Sequence, residues 1–283
     1  EAAFKLSRLT GRTHVVVASG GFHGRTMGSL ALTAQPAKQD PFRPLPGEVT
    51  VVPYGDNDAL RVAVTKETAA VFLEPIQGEN GVVLPPSDYL KRVRELCDRH
   101  GVLLCIDAVQ TGMGRTGVWF GYEGSGIVPD IITLAKGLGG GLPLGAMITV
   151  TPFCPRFSPG DHGSTFGGNP ISCAAGLAAI SIIEKSALLK RVKKMSSLIK
   201  REITKLPGVL EVRGEGFLLV IVLDGIDSSI LVERARDLGL LLNAPNKGVI
   251  RIAPALTITD AQINEFIKKF ANALRDAQQE ATS

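Results

Sequence analysis

The chain of 283 residues is 45% hydrophobic and 20% charged, with a net charge of +4, a balance that excludes a disordered chain and is too diffuse for a nucleic-acid partner. No apolar run reaches the roughly 20 residues of a membrane span, and no signal peptide opens the sequence, so neither a membrane partner nor secretion is expected. Cys97, Cys105, Cys154 and Cys173 show no C-x-x-C spacing, which points to core thiols in a reducing, cytoplasmic compartment.

Taken in order, EAAFKLSRL opens in mid-helix, with Ala2, Ala3, Leu6 and Leu9 at helical spacing and no capping residue before them, and suggests a chain truncated at its N-terminus. Strand signals then recur at HVVVA (14–18), VTVVP (49–53), AAVFLE (69–74), VLLCID (102–107), DIITLA (130–135) and AMITV (146–150). Helical stretches such as SDYLKRVRELCDRH lie between several of them, the pattern of a mostly parallel α/β sheet with helices on both faces. Asn169 and Pro170 pair a cap with a first-turn proline and begin a helix expected to reach about Leu206. A smaller α+β unit follows: a hairpin turning at 214–216, a helix near 228–238, the strand VIRIA (249–253) and a closing helix from Thr259. The expected division is a large domain over 1–185 and a small one over 186–283.

Two strand ends carry chemistry. VLLCID ends on Asp107, and DIITLAK ends on Lys136 just before the glycine run GLGGG. In open parallel sheets, ligands sit beyond the carboxyl ends of the strands. A lysine amine there can capture the aldehyde of pyridoxal 5'-phosphate, and a carboxylate can keep its ring nitrogen protonated. The competing reading is a surface salt bridge. Gly112, Gly114 and Gly117 spell G-x-G-x-x-G, but VWFGYEGSG follows where a nicotinamide site needs a helix N-terminus. No metal site is apparent, and His23 and His162 read as packing or hydrogen-bonding residues.

Six segments in order, FHGRT (22–26), EPIQGE (74–79), DAVQTGMGRTG (107–117), LAKGLGGGLPLGA (134–146), HGSTFGGNP (162–170) and RIAPAL (251–256), resemble the class III, ω-amino-acid aminotransferases, over the whole chain. The resemblance implies the fold type I architecture of pyridoxal phosphate enzymes, with Lys136 as the covalent anchor and Asp107 as the partner of the ring nitrogen. It makes Gln110 a donor to the cofactor's phenolic oxygen and Phe22 a flat cover for the ring, a role its apolar face suits; a core aromatic is the alternative. Ser164 and Thr165 would reach the phosphate from a neighbouring subunit, which implies a homodimer with shared sites. Two departures stand out. Ala108 occupies a position that is usually acidic in the family, and a glycine-rich, phosphate-binding turn expected just before the EAA helix is not in this sequence, so weak cofactor binding is expected of the chain as written.

The resemblance also assigns substrate contacts. Arg25 would hold the carboxylate remote from the reacting centre, and Arg251 the α-carboxylate of glutamate in a bidentate fork. Glu79 would neutralise Arg251 when the donor lacks an adjacent carboxylate, a permanent ion pair being the alternative. The expected reaction moves the δ-amino group of N2-acetylornithine to 2-oxoglutarate. Ornithine, succinylornithine and 4-aminobutyrate remain alternative donors, and a catalytically silent folding or dimerisation unit remains the alternative of a different class.

Overall fold

Runs of buried β-branched and aliphatic residues build the larger sheet. In the computed structural model, which describes residues 1–152 and 154–281, its strands are β1 (His14–Ala18), β2 (Glu48–Val52), β3 (Thr68–Leu73), β4 (Leu103–Asp107), β5 (Ile131–Leu134) and β6 (Ala146–Thr149). Their order is β2-β1-β3-β4-β5-β6. Every pair is parallel except β5 with β6, so the mostly parallel α/β sheet expected from the sequence is present. All residues of β3 and β4 are buried, as befits central parallel strands covered on both faces.

The helices are α1 (Ala2–Ser7), α2 (Met27–Leu32), α3 (Pro36–Gln39), α4 (Asn57–Ala63), α5 (Tyr89–His100), α6 (Pro170–Lys185), α7 (Leu188–Ile203), α8 (Ser228–Asp237) and α9 (Asp260–Ala281). In α5, the crossover from β3 to β4, Tyr89, Leu90, Val93, Leu96 and Cys97 are buried. That is the apolar stripe of an amphipathic helix. Gly101 ends it in the left-handed region at φ +60°, the common C-terminal cap.

The helix expected from Pro170 to about Leu206 is in fact two helices. Ala187 sits at φ +49°, and one left-handed residue stops a right-handed helix. Beyond the break α7 buries Leu188, Val192, Met195, Ile199 and Ile203, a stripe of its own.

Two compact units divide the chain. The first combines Glu1–Gln77, Leu84–Met113 and Phe120–Ile182; the second combines Gly78–Val83, Gly114–Trp119 and the chain from Ile183 onward. Within the second, β7 (Val209–Glu215), β8 (Leu218–Leu223) and β9 (Val249–Ile252) form an antiparallel sheet in that order. Its core gathers α7, α8, α9 and β8, with Phe217, Leu231, Ile263 and Phe270 fully buried. Side chains tie in the two inserted segments. Arg213 donates to the carbonyls of Val82 and Gly81 at 3.3 and 3.2 Å, and Arg115 donates to those of Phe217 and Pro254 at 3.3 and 2.5 Å.

Candidate active site

Four neighbouring strands of the larger sheet, β1, β3, β4 and β5, present their carboxyl ends along one edge, the place where such sheets bind ligands. Asp107 closes β4 and pairs with Thr133 of β5 in the parallel register. Lys136 lies three residues beyond Thr133, so the expected lysine and aspartate occupy the same edge on adjacent strands. Lys136 itself adopts φ +46° and starts a 3-10 turn through Gly139. A non-glycine residue there is strained by about 1 to 2 kcal/mol, and such strain concentrates at functional sites.

Asp107 is held from two sides. Its Oδ1 accepts the Val109 amide at 3.0 Å, and its Oδ2 lies 2.9 Å from Nδ1 of His23. Ala108, the departure from the usual acidic residue noted in the sequence, is 1% exposed and donates its backbone amide to Thr133 O at 3.0 Å. Side-chain support for Asp107 comes from His23, across 84 positions of sequence. Burial alone would lower the His23 pKa. The hydrogen bond and charge of Asp107, reinforced by the charge of Glu74, outweigh it and hold the pKa above its ordinary value.

The loop after β1 carries Phe22, His23 and Arg25, and each of its turns is tied down. Gln35 Nε2 donates to Gly20 O at 2.9 Å, and Gln77 Nε2 to Ser19 O at 2.8 Å. The amides of His23 and Gly24 both donate to Thr33 Oγ1, at 3.0 and 3.2 Å, while the Phe22 amide donates to Glu74 Oε1 at 3.0 Å. Gly24 needs to be glycine. Its φ is +144°, and a Cβ there would stand 2.5 Å from Ser29 Oγ.

Phe22 is half-buried, and the Arg25 guanidinium lies over its ring, 5.6 Å from the centroid, with Lys38 Nζ at 5.8 Å. Gln110 is half-buried in the turn after Asp107. Ser164 and Thr165 are exposed in the loop before α6, where Asn169 Oδ1 caps the helix by accepting the Ser172 amide at 2.9 Å. His162 stacks on Phe157 at 5.3 Å, a packing role. The G-x-G-x-x-G run does not lead into a helix: Gly114 and Gly117 have φ of +82° and +84°, and the next helical element is a three-residue 3-10 turn. No helix N-terminus for a dinucleotide follows it.

In the second unit, Arg251 of β9 donates from Nη1 to Glu79 Oε1 at 2.8 Å and to Gly78 O at 3.0 Å. Its Nε donates to Asn243 Oδ1 at 3.1 Å, a contact that no sequence motif marks. The side chains of Arg251 and Glu79 are 18% and 30% exposed. Both partners are therefore partly exposed rather than sealed in the interior.

The chain is similar to known aminotransferases. The family description "Aminotransferase class-III" matches residues 1–274. The chain is 52% identical to acetylornithine aminotransferase of Streptomyces coelicolor, over 99% of this chain and 71% of that protein. It is 55% identical to acetylornithine aminotransferase of Mycobacterium bovis, over 94% and 67% respectively. Among solved structures it resembles the ornithine aminotransferase of Toxoplasma gondii, in which pyridoxal phosphate partly occupies the active site. The TM-score is 0.93 at 30% identity, over all of this chain and 70% of that one. It also resembles N-acetylornithine aminotransferase of Stenotrophomonas maltophilia, with TM-score 0.80 and 33% identity over 97% and 71%.

Proposed function

This chain belongs to the class-III aminotransferases, and from that premise we propose that it moves the δ-amino group of N2-acetylornithine to 2-oxoglutarate, giving glutamate and N-acetylglutamate 5-semialdehyde in arginine biosynthesis. The observation that carries the reading is the placement of Lys136 and Asp107 on adjacent strand ends, in a chain 52% and 55% identical to the two acetylornithine aminotransferases.

The residues present suit pyridoxal 5'-phosphate. A buried carboxylate fixed by a histidine and an amide, a strained lysine one strand away and a half-buried phenylalanine make up a donor set for an aldehyde-bearing, protonated heteroaromatic ring. We assign Lys136, Asp107, Gln110 and Phe22 to the cofactor, with Ser164 and Thr165 of a neighbouring copy to its phosphate. When bound, the cofactor supplies an electron sink that lets a carbon–hydrogen bond next to nitrogen ionise. Asp107 would set its carboxylate against the ring nitrogen, oriented for that by His23. Lys136 Nζ would hold the cofactor and, as a free amine, would take the proton from the donor's δ-carbon and return it to the cofactor carbon, so one amine would act as base and then as acid.

Substrate binding uses cations. Arg25 takes the remote carboxylate of either substrate, and Arg251 takes the α-carboxylate of glutamate or 2-oxoglutarate once Glu79 releases it. The two substrates share one site in alternation, a ping-pong cycle. Homodimerisation is supported by the apolar residues that α6 and its approach expose, Phe166, Ile171 and Leu177 at 81, 74 and 70%, a patch of the kind that marks an interface. A cytoplasmic location is the reading that fits four free cysteines, Cys97, Cys105, Cys154 and Cys173.

The test is donor competition in the whole protein. N2-acetylornithine should give the highest kcat/KM, read as glutamate formed from 2-oxoglutarate. A higher value for ornithine, succinylornithine or 4-aminobutyrate would reassign the substrate within the class.

A further inference from the structure

The six residues of β3 are TAAVFL and all are buried; the next residue, Glu74, is a carboxylate only 4% exposed. A charge so placed is unfavourable unless its oxygens are engaged. Glu74 Oε1 accepts the Phe22 amide at 3.0 Å, linking positions 52 residues apart. The backbone from which Glu74 projects is itself clamped. Tyr54 OH donates to the carbonyls of Glu74 and Pro75 at 2.9 and 3.0 Å, and burial holds the Tyr54 pKa well above its ordinary value, so the hydroxyl remains a donor.

The bonded amide sits between two side chains of the candidate site. Phe22 bears it, and the next residue, His23, reaches Asp107. The same carboxylate lies close enough to His23 for its charge to favour the protonated imidazole. We infer that Glu74 is a positioning residue: through the Phe22 amide it fixes the loop after β1, so that the Phe22 ring and the His23–Asp107 contact keep their geometry. The inference deepens the proposed function, and its value for cofactor binding rests on the reading of Phe22 and Asp107 given there.

Two variants separate the acceptor from the charge. Glu74→Gln keeps a carbonyl oxygen for the Phe22 amide, whereas Glu74→Met fills the same space without one. In the whole protein labelled with ¹⁵N-phenylalanine and ¹⁵N-histidine, the Phe22 amide should be protected from exchange and His23 should show a hydrogen-bonded Nδ1. Glu74→Met should speed exchange of that amide about tenfold to a hundredfold, shift the His23 ring signals and weaken pyridoxal phosphate binding by a similar factor. Glu74→Gln should restore all three most of the way. Unchanged Phe22 exchange and His23 signals in a folded Glu74→Met protein overturn the inference. Should that variant not fold, the unmutated protein decides, and a Phe22 amide exchanging at the rate of an open loop overturns it equally. Should the resonances move while cofactor affinity stays constant, the positioning of the loop stands and the cofactor roles of Phe22 and Asp107 fail.

Discussion

His23 Nδ1 and Asp107 Oδ2 stand 2.9 Å apart, with side chains 5% and 10% exposed. The contact ties the loop after β1 to the end of β4, and it sets a pH dependence. Burial acts to lower the His23 pKa, but the bond and charge of Asp107, with the charge of Glu74, raise it above its ordinary value. A group whose folded-state pKa is raised contributes stability that is fully present below the unfolded value of about 6.5 and is lost as pH rises through the folded one. The difference in Tm between the unmutated protein and His23→Gln should therefore be largest near pH 5.5 and shrink on the alkaline side. A difference that is constant from pH 5.5 to 9 would contradict a raised His23 pKa.

Asp107→Asn tests the charge at the ring nitrogen. The amide can still accept the Val109 N–H but cannot hold a neighbouring nitrogen protonated, and each pKa unit lost there corresponds to about 1.4 kcal/mol. Cofactor should remain bound, while turnover falls by on the order of 10² or more. Near-normal turnover would remove Asp107 from its assigned role.

Glu79→Ala tests whether the Arg251 pair opens. Without Glu79, Arg251 should stay available to an α-carboxylate, which favours the glutamate half-reaction and impairs the acetylornithine one. Single-turnover spectroscopy measures the halves separately. Equal losses in both would leave Glu79 as scaffold. The stability cost should be modest, about 1 kcal/mol, because solvent reaches both partners.

Much of this was legible in the sequence because it is local. Buried strands such as HVVVA and AAVFLE declare themselves by composition, and Lys136 and Asp107 stand out as ionisable residues ending such runs. What escaped is set by long-range geometry. FHGRT does not reveal that His23 meets Asp107, nor does EPIQGE reveal that Glu74 takes the Phe22 amide, because each contact depends on which strands are neighbours in the sheet. Asn243, which orients Arg251, sits in an unremarkable loop. The segment 78–83 lies between elements of the first unit yet folds with the second, held by Arg213, whose side chain gives no such sign in sequence. The break at Ala187 was hidden because alanine is a strong helix former, and only its φ of +49° shows the interruption.

Lys136 is the residue on which the proposed chemistry turns. In the whole enzyme loaded with pyridoxal phosphate, borohydride reduction followed by peptide mapping should place the cofactor on the peptide containing Lys136. Lys136→Ala should abolish both the labelling and turnover, since the covalent anchor and a proton carrier worth roughly 10² to 10⁴ in rate disappear together. Cofactor fixed to any other lysine, or an alanine variant that keeps turning over, would contradict the assignment.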